Sequence, residues 1–495
     1  MKGLLRSDGT AWGLAFVAFL LNQAVNAGAG LYVAAHLDPA SFGTVNIART
    51  ILFLAATVMP LGLDLALQRS FATPAFDEAR RNHVLGMLRA MVAVLSLGLL
   101  GLAAAGGATL LADGIFTGPG FSAALLVCLI ALPFWADLAV LGGAFRGRLA
   151  PLPSLFAQSI VQPLVRLIAT IVLIYSGYEF WSLPAGLAAG YAAGWVFLLP
   201  RAMRDFGFLR WPVADALPEV KAVLRYSLPL GLALIGGSAL RMTDVLMVGA
   251  FQSSAEAGRY AVTLLLAQLV ALVGAASGQT LGPRIAESHA RSDSAAIATL
   301  QRSNMALVAL VAAPLLASIL FWGDRITLLI GDAYRVDGVV LALLGVAAAI
   351  TAVTGNLGHS LGMTGHHKAE AGIVWLALAA QLALCAVLVP MWGQTGAAIA
   401  VLVAVTALWL LRILTIYRRL NIVLLGLAPV YPFLAAVAIG LAVWLIDQWI
   451  GVRTITSTAL ACLLAVSLYG AILWPFRAHL QIGQSFRILT TRRAS

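Results

Sequence analysis

The feature that most constrains this chain is the recurrence, from one end to the other, of apolar runs about 18 residues or longer. A run of that length can cross the hydrocarbon core of a bilayer as a helix. Of the 495 residues, 61% are hydrophobic and only 10% are charged, whereas a soluble protein of this size needs a far more charged exterior. The sequence therefore predicts an all-α polytopic membrane protein.

We predict about 14 transmembrane helices. They lie near residues 12–35, 43–67, 84–112, 120–143, 153–175, 183–200, 226–250, 258–282, 303–322, 338–362, 370–390, 394–416, 429–450 and 454–476. The loops between them are short, which leaves no room for a sizeable extramembrane domain.

Positive charge is distributed unevenly between alternate loops. Most of the 31 Lys and Arg residues fall in one set, to which Arg80 and Arg89 are assigned, while the opposite set holds Arg325, Arg335 and Arg453. Because Lys and Arg concentrate in cytoplasmic loops, we predict that both termini are cytoplasmic. The net charge of +11 then reflects the cytoplasmic face of a membrane protein and does not indicate a nucleic-acid partner.

The two halves of the chain contain an internal repeat. The segment "HLDPASFGTVNIART" enters the second span and "FQSSAEAGRYAVTLL" enters the eighth, and aligning Gly43 with Gly258 gives an offset of 215 residues. The same offset aligns Arg69 with Arg284 at the other ends of these spans. Such a parallel repeat is typical of transporters built from duplicated bundles.

The repeat predicts two pseudo-symmetric six-helix lobes followed by two additional helices. The N-terminal lobe with its cytoplasmic link covers residues 1–225, the C-terminal lobe 226–420, and the two extra helices with a cytoplasmic tail 421–495. The long segment from Arg201 to Ser227 is the expected connection between the lobes.

Several polar side chains fall inside the predicted spans, where a charge costs at least about 2.5–3.5 kcal/mol unless it faces protein or water. Arg49, for example, lies roughly 9 Å inside the outer end of its helix. Arginine binds phosphate oxygens in a bidentate manner, and amides suit sugar hydroxyls. We therefore predict a wet, positively charged cavity for an anionic substrate. The candidate substrate-binding residues are Arg49, Arg166, Arg241, Asn22, Asn26, Asn46, Gln158 and Gln162.

Each of these residues also has a structural explanation. Arg241 can neutralise Asp244 one turn away, Arg166 can bond helix-end carbonyls, and the amides can hydrogen-bond neighbouring helices. The acids Asp137, Asp244 and Asp64 are candidates for coupling transport to a proton or a sodium ion.

No enzyme signature is present in the sequence. It contains no GxxxxGK[ST] or HExxH motif, its GxSxG match at Gly358–Gly362 lies inside a predicted membrane span, and its three cysteines lie inside apolar runs without metal-ligand spacing. We predict a protein that is not an enzyme, with no metal and no cofactor apart from the possible coupling ion.

The frames "LDPASFGTVN…PLGLDLALQRSFA" and "YSLPLGL…RMTDVLMVGAFQSSAEAGRYAV" resemble bacterial oligosaccharide-lipid flippases of the multidrug/oligosaccharidyl-lipid/polysaccharide exporter superfamily. The resemblance extends over most of the chain. It implies alternating access between two lobes and translocation of undecaprenyl-pyrophosphate-linked oligosaccharide from the cytoplasmic to the periplasmic leaflet. It also implies a role in O-antigen, capsule or exopolysaccharide assembly, a location in the bacterial inner membrane, and polysaccharide polymerase and chain-length machinery as partners.

Three alternatives remain. A cation-coupled multidrug exporter of the same superfamily typically has an acid in its first span, where this chain has Asn22, Gln23 and Asn26. A lipid II flippase also has two extra helices and cavity arginines. A polysaccharide polymerase or ligase usually carries a large outer loop, and the short outer loops here argue against that class.

Overall fold

The computed structural model describes residues 23–473, apart from 24, 73–77, 208–215, 329, 336, 425–427 and 451–454. All regular secondary structure in these ranges is helical. The chain divides into two compact units, Val17–Gly258 and a second one that contains Arg259–Ser495. These units are defined by compactness, and the predicted lobe boundary at 225/226 stays a prediction.

The first unit is built around one central helix. Its helices are α1 Val25–Ala34, α2 Pro39–Val58, α3 Leu63–Ala72, α4 Glu78–Leu102, α5 Ala108–Gly114, α6 Phe121–Gly147, α7 Leu152–Phe156, α8 Gln162–Tyr175, α9 Glu179–Phe206, α10 Leu217–Leu240 and α11 Thr243–Phe251. Helix α6 packs against α2, α3, α4 and α9. It has apolar residues on all sides, as expected for a helix that other helices surround.

The second unit contains the rest of α12, Ser254–Ala290, which begins at the end of the first unit. Its other helices are α13 Ser294–Leu328, α14 Gly338–Thr354, α15 Asn356–Met363, α16 His367–Leu420, α17 Val430–Ile450 and α18 Ile455–Leu473. Helix α13 packs against α14, α17 and α18, and α14 packs against α16.

Polar contacts join α17 and α18, the last two described helices, to α13. Arg325 forms an ion pair of 2.6 Å with Asp447 of α17, and the indole N–H of Trp322 donates to the same carboxylate at 3.3 Å. The hydroxyl of Tyr469 on α18 donates to the Leu310 carbonyl at 2.9 Å. The assignment of Arg325 to an outer loop was therefore wrong, because this residue lies in α13 and forms an ion pair with α17.

The prediction of about 14 spans is confirmed. Eleven described helices are long and apolar enough to cross a membrane. One of them, α16, contains two predicted spans, which meet at Gly393, where φ 56 and ψ −131 interrupt the helix in a conformation that glycine adopts at little cost. Two shorter apolar helices, Val25–Ala34 and Ser457–Ala471, match the first and last predicted spans, parts of which lie outside the described residues.

Within the described residues, the second and seventh predicted spans are each broken by a short non-helical turn. The second span is interrupted between Val58 and Leu63 by a turn that contains Leu61 and Gly62, both with positive φ. A β-carbon at Gly231 of α10 would overlap the Leu61 carbonyl, so the turn packs directly on α10. The seventh span ends as a helix at Leu240 and resumes at Thr243. The predicted spans ran through both breaks because apolar residues flank them, although Pro60 and Gly62 at the first break are typical of a turn.

The repeat glycines contact each other. In the first unit, a β-carbon at Gly43 would overlap the carbonyl oxygen of Ser254, and one at Gly258 would overlap the carbonyl oxygen of Pro39. The repeat offset relates Pro39 to Ser254 just as it relates Gly43 to Gly258, so the contact is reciprocal. Two equivalent helix starts therefore pack backbone to backbone around a local twofold relation, as small residues allow in membranes.

The start of α2 is fixed by Asp38, whose carboxylate accepts hydrogen bonds of 2.9 Å from the backbone N–H groups of Ala40 and Ser41. Partial burial alone would raise the pKa of Asp38, but hydrogen bonds from the side chain and backbone of Ser41 and from Ala40 outweigh it and lower this pKa below its ordinary value. The negative charge needed for capping is thus retained at neutral pH.

The predicted orientation can be checked at described positions between or at the ends of the predicted spans. Reporter domains fused after Ser176 and after Trp392 are expected to report an outer location, because an odd number of spans precedes each position. Fusions after Asp205 and after Gly365 are expected to report a cytoplasmic location. Alkaline phosphatase and green fluorescent protein fusions measure this directly, and reversed results at two of the four sites would contradict the topology.

Candidate functional site

Arg49 and Arg166, which lie far apart in the sequence, come together inside the first unit. Their positive charges are near enough to repel each other, and both act on the Tyr191 hydroxyl. Arg166 is only 5% exposed, and Arg49 is partly exposed. The structure thus places two guanidinium groups from α2 and α8 beside one side chain of α9.

Neither guanidinium is neutralised by a residue in the part of the chain that the structure describes. Within the part of the chain that the structure describes, Arg49 and Arg166 make no ion pair or hydrogen bond, and the Nε atom of each is buried without a partner. Buried charges are normally paired, because removing an ion from water without compensation is costly. Two interacting like charges that have no anionic partner among the described residues mark a place where an anion is favoured.

Aromatic rings line the space beside the two arginines. The guanidinium carbon of Arg49 lies 5.6 Å from the centroid of the Phe53 ring. Phe53 meets Trp135 of α6 edge-on at 4.8 Å, and Trp135 stacks on Tyr191 at 4.3 Å with an interplanar angle of 11°. We call Phe53, Trp135 and Tyr191 the aromatic cluster. It connects the three helices that carry or adjoin the arginine pair.

Close packing of α8 on α9 positions Arg166. A β-carbon at Gly190 would lie 2.7 Å from the Gln162 carbonyl oxygen and 2.8 Å from Cβ of Arg166, so any larger residue would push the helices apart. Tyr191 follows directly in the sequence, and its ring is therefore held at the level of Arg166. This small-residue contact is a common way to bring membrane helices together.

Three predicted site residues of the fifth span, Gln158, Gln162 and Arg166, are spaced four residues apart, but they do not share one helix face. The segment Ala157–Val161 is a π-helical turn, which inserts one residue into the helix and rotates what precedes it by about 100°. As a result, the Gln158 amide donates to the Leu138 carbonyl of α6 at 3.1 Å, a contact between helices. Gln162, only 5% exposed, remains on the same helix face as Arg166, one turn away.

The three asparagines among the predicted site residues differ in their exposure and in whether the structure describes them. Asn46 is 1% exposed and donates to the Phe42 carbonyl of its own helix at 3.1 Å, so it lies inside the helix packing. Asn26 is partly exposed on α1. Asn22 lies outside the described residues. The role of each in substrate binding stays a prediction.

Arg241 is not part of the arginine pair. It terminates α10 at the break in the seventh span, is exposed, and donates from Nη2 to Oγ of Ser238 at 3.3 Å. Asp244 follows in the first turn of α11 and is only 2% exposed. The break explains the presence of polar residues here, because interrupted transmembrane helices expose backbone groups that need polar neighbours.

Asp137 forms a buried bidentate ion pair with Arg89. Nε of Arg89 donates to one carboxylate oxygen at 2.7 Å and Nη2 to the other at 2.8 Å, and the indole N–H of Trp195 donates at 2.7 Å. Arg89 is 4% exposed. Its assignment to a cytoplasmic loop was wrong, since it lies inside α4. Because three N–H groups already donate to the two oxygens of Asp137, a coupling ion would have to displace at least one of them.

Asp64, another predicted ion-coupling residue, lies in the first turn of α3. Its carboxylate is 3.5 Å from Nη2 of Arg146 on α6, and both side chains are about a quarter to a third exposed. A loose, partly exposed pair of this kind can open more easily than the Arg89–Asp137 pair.

The aromatic cluster was not predicted from the sequence. Phe53 and Trp135 were visible inside apolar spans, but aromatic residues in such spans are usually lipid-facing or packed in the core. A usable signal did exist for Phe53, which lies one turn after Arg49 on the same helix face. The stacking of Trp135 on Tyr191 joins two helices and could not be read from either segment alone.

The comparisons with known proteins agree with this architecture. Residues 10–289, more than half of the chain, match the family described as "Polysaccharide biosynthesis protein". The sequence matches no curated protein significantly.

Several solved structures share the fold. The lipid II flippase MurJ in an inward closed conformation has a TM-score of 0.73 at 12% identity, covering 94% of this chain and 99% of that one. An inward-facing multidrug resistance MATE family transporter of the MOP superfamily has a TM-score of 0.68 at 14% identity, covering 82% and 98%. A MOP superfamily transporter from Pyrococcus furiosus, described as having a binding pocket of reverse polarity, has a TM-score of 0.57 at 15% identity, covering 84% and 97%. The chain therefore belongs to the polysaccharide biosynthesis protein family and has the fold of the MOP superfamily transporters, which confirms the resemblance seen in its sequence.

Proposed function

We propose that this protein flips an undecaprenyl-pyrophosphate-linked oligosaccharide from the cytoplasmic to the periplasmic leaflet of a bacterial inner membrane by alternating access. The observation that supports this is the unpaired, adjacent arginine pair, Arg49 and Arg166, inside the first unit. The product would feed O-antigen, capsule or exopolysaccharide assembly, with a polysaccharide polymerase and chain-length machinery as partners. The protein acts in this scheme as a transporter and catalyses no covalent step.

A diphosphate suits the arginine pair better than a single charge would. It carries two anionic groups linked through one oxygen, so each guanidinium can bind one phosphate through two charge-assisted hydrogen bonds. The mutual repulsion of the arginines raises the free energy of the empty site, and the ligand removes that repulsion on binding. The same electrostatics disfavour cationic drugs.

A lipid II flippase remains the second candidate, because the similarity to MurJ extends over 94% of this chain. Its substrate is likewise a polyprenyl diphosphate, so the arginine pair accommodates both. A cation-coupled multidrug exporter is disfavoured, since the buried acid Asp137 already belongs to Arg89.

We further propose that proton or sodium coupling, if the transport cycle uses it, acts through Asp64 or Asp244. Asp64 pairs only loosely with Arg146, at 3.5 Å, and Asp244 lies beside a helix break. Both positions combine a carboxylate with a segment that can change conformation.

Ligand-induced stabilisation tests the binding step. Undecaprenyl diphosphate at about 100 times its Kd is expected to raise the unfolding midpoint of the purified protein by about 2–5 °C, because only the folded state binds it. Undecaprenyl monophosphate is expected to raise it less, and the cation ethidium is expected to leave it unchanged. Stabilisation by ethidium with none by the diphosphate would refute the proposal and favour the multidrug exporter.

Transport itself is measured in proteoliposomes that carry a polyprenyl-diphosphate-linked sugar in both leaflets. A membrane-impermeant pyrophosphatase added outside is expected to cleave all of the lipid when the protein is present, because inner-leaflet molecules are continuously delivered outward. In protein-free vesicles about half is expected to remain protected. Protection that persists with the protein present would contradict flipping of this lipid.

A further inference from the structure

We propose that the aromatic cluster, Phe53, Trp135 and Tyr191, binds the sugar ring that is attached directly to the diphosphate. This inference rests on the proposed function and specifies which part of the substrate each group of residues recognises. The arginine pair would hold the diphosphate, and the aromatic rings beside it would hold the first sugar.

The aromatic cluster lies close enough to the arginine pair for one ligand to contact both. The Arg49 guanidinium lies 5.6 Å from the centroid of Phe53, and the charges of both arginines act on the Tyr191 hydroxyl. In a lipid-linked sugar, the first ring is bonded directly to a phosphate oxygen. A ligand whose phosphates contact these guanidinium groups therefore brings its first sugar within contact distance of the cluster.

The shape and chemistry of the cluster also suit a sugar. Trp135 and Tyr191 stack nearly parallel, 11° apart, and form a rigid slab whose members are only partly buried. The π face of an aromatic ring is negative and attracts the weakly positive C–H face of a pyranose. Binding sites that combine apolar walls with a few polar groups are the usual form of a small-molecule site.

Unused hydrogen-bonding groups lie on the same two rings. In the part of the chain that the structure describes, neither the indole N–H of Trp135 nor the hydroxyl of Tyr191 makes a hydrogen bond. The neighbouring indole in α9, Trp195, instead donates to Asp137 at 2.7 Å, as a structural tryptophan does. The contrast indicates that Trp135 and Tyr191 keep their polar atoms for a ligand, for which sugar hydroxyls are suitable partners.

Binding of two probes separates the sugar contact from the diphosphate contact. The probes are undecaprenyl diphosphate and undecaprenyl-diphosphate-N-acetylglucosamine, titrated against the purified full-length protein by calorimetry. Trp135→Leu is expected to weaken binding of the sugar-bearing lipid about three- to tenfold and to change binding of the sugar-free lipid less than about twofold. The affinity of Trp135→Phe for the sugar-bearing lipid is expected to lie between those of Trp135→Leu and the wild type. Tyr191→Phe is expected to lose only the part of that affinity that comes from the Tyr191 hydroxyl.

Trp392→Leu is the matched control, because Trp392 is an exposed tryptophan in the second unit, and it is expected to bind both probes as the wild type does. Equal weakening toward both probes in Trp135→Leu and Trp135→Phe would overturn the sugar role and make the cluster a support for the arginines. Unchanged binding of both probes would overturn it as well. Failure of the wild type to bind either probe would instead refute the proposed function, and the sugar contact with it.

Discussion

Replacing Arg49 by Gln is expected to abolish glycan export, with a fall on the order of 100-fold in transport, while the protein remains folded. Arg166→Gln is expected to behave in the same way. In the proposed site, each change removes the charge-assisted hydrogen bonds to one phosphate, and the Gln amide cannot replace a planar, bidentate cation. Arg49→Lys keeps the positive charge but lacks the planar guanidinium that donates two parallel hydrogen bonds, so it is expected to retain only part of the transport activity.

The stability of the ligand-free variants distinguishes this role from a structural one. Because Arg49 and Arg166 repel each other, removing either charge is expected to leave the unfolding midpoint unchanged or to raise it. The measurement combines polymer output, protein abundance and the unfolding midpoint with and without undecaprenyl diphosphate. Arg418→Gln, at an exposed position near the end of α16, serves as the control and is expected to retain full export.

Normal export by Arg49→Gln would exclude this residue from the binding site. A fall in export that parallels a fall in abundance and midpoint would show that Arg49 supports the fold. Diphosphate-induced stabilisation that persists in Arg49→Gln and Arg166→Gln would show that the lipid binds elsewhere.

The second large effect is expected at Asp137. Replacing it by Ala leaves the buried guanidinium of Arg89 without its anion and the Trp195 indole without its acceptor. Loss of one partner of a buried ion pair costs about 3–5 kcal/mol, so a large decrease in the unfolding midpoint and in membrane abundance is expected. Asp137→Asn keeps an acceptor oxygen but loses the charge, so its unfolding midpoint is expected to lie between those of Asp137→Ala and the wild type.

A double variant supplies the control for this prediction. Replacing Arg89 and Asp137 together by Leu removes both charges at once, and most of the lost stability is expected to return because no unpaired buried charge remains. The unfolding free energy in mixed detergent micelles measures each step. A stable Asp137→Asn variant that loses only its dependence on protons or sodium would show instead that Asp137 is the coupling site.

Some properties of the site followed directly from the residue types. An arginine at membrane depth, such as Arg49, has to face protein or water because lipid cannot solvate it. The prediction of a positively charged interior rested on that cost alone, and Arg166 was identified by the same reasoning. The repeat alignment also matched Gly43 with Gly258, and these two glycines contact each other in the structure.

Other properties depended on distant segments. Arg89 resembles a cytoplasmic anchor when α4 is considered alone, and it becomes a buried ion-pair partner only because α6 brings Asp137 to it. Gln158 turned toward α6 because a π-helical turn precedes Gln162, and hydropathy carries no information about such a turn. The break at Arg241 was hidden for the same reason, since apolar residues continue on both sides.

The sequence by itself determined that the chain spans a membrane about 14 times, that its spans are duplicated, and that it holds arginines where lipid would be. These properties depend on the length, polarity and order of residues, which local segments fully specify. Only the tertiary structure decided which arginines lack a partner and which aromatic rings stand beside them. The proximity of Arg49, Arg166 and Tyr191 depends on how three helices pack. That packing is set by shape, by close contacts such as the one at Gly190, and by interruptions in helices that the apolar pattern does not record.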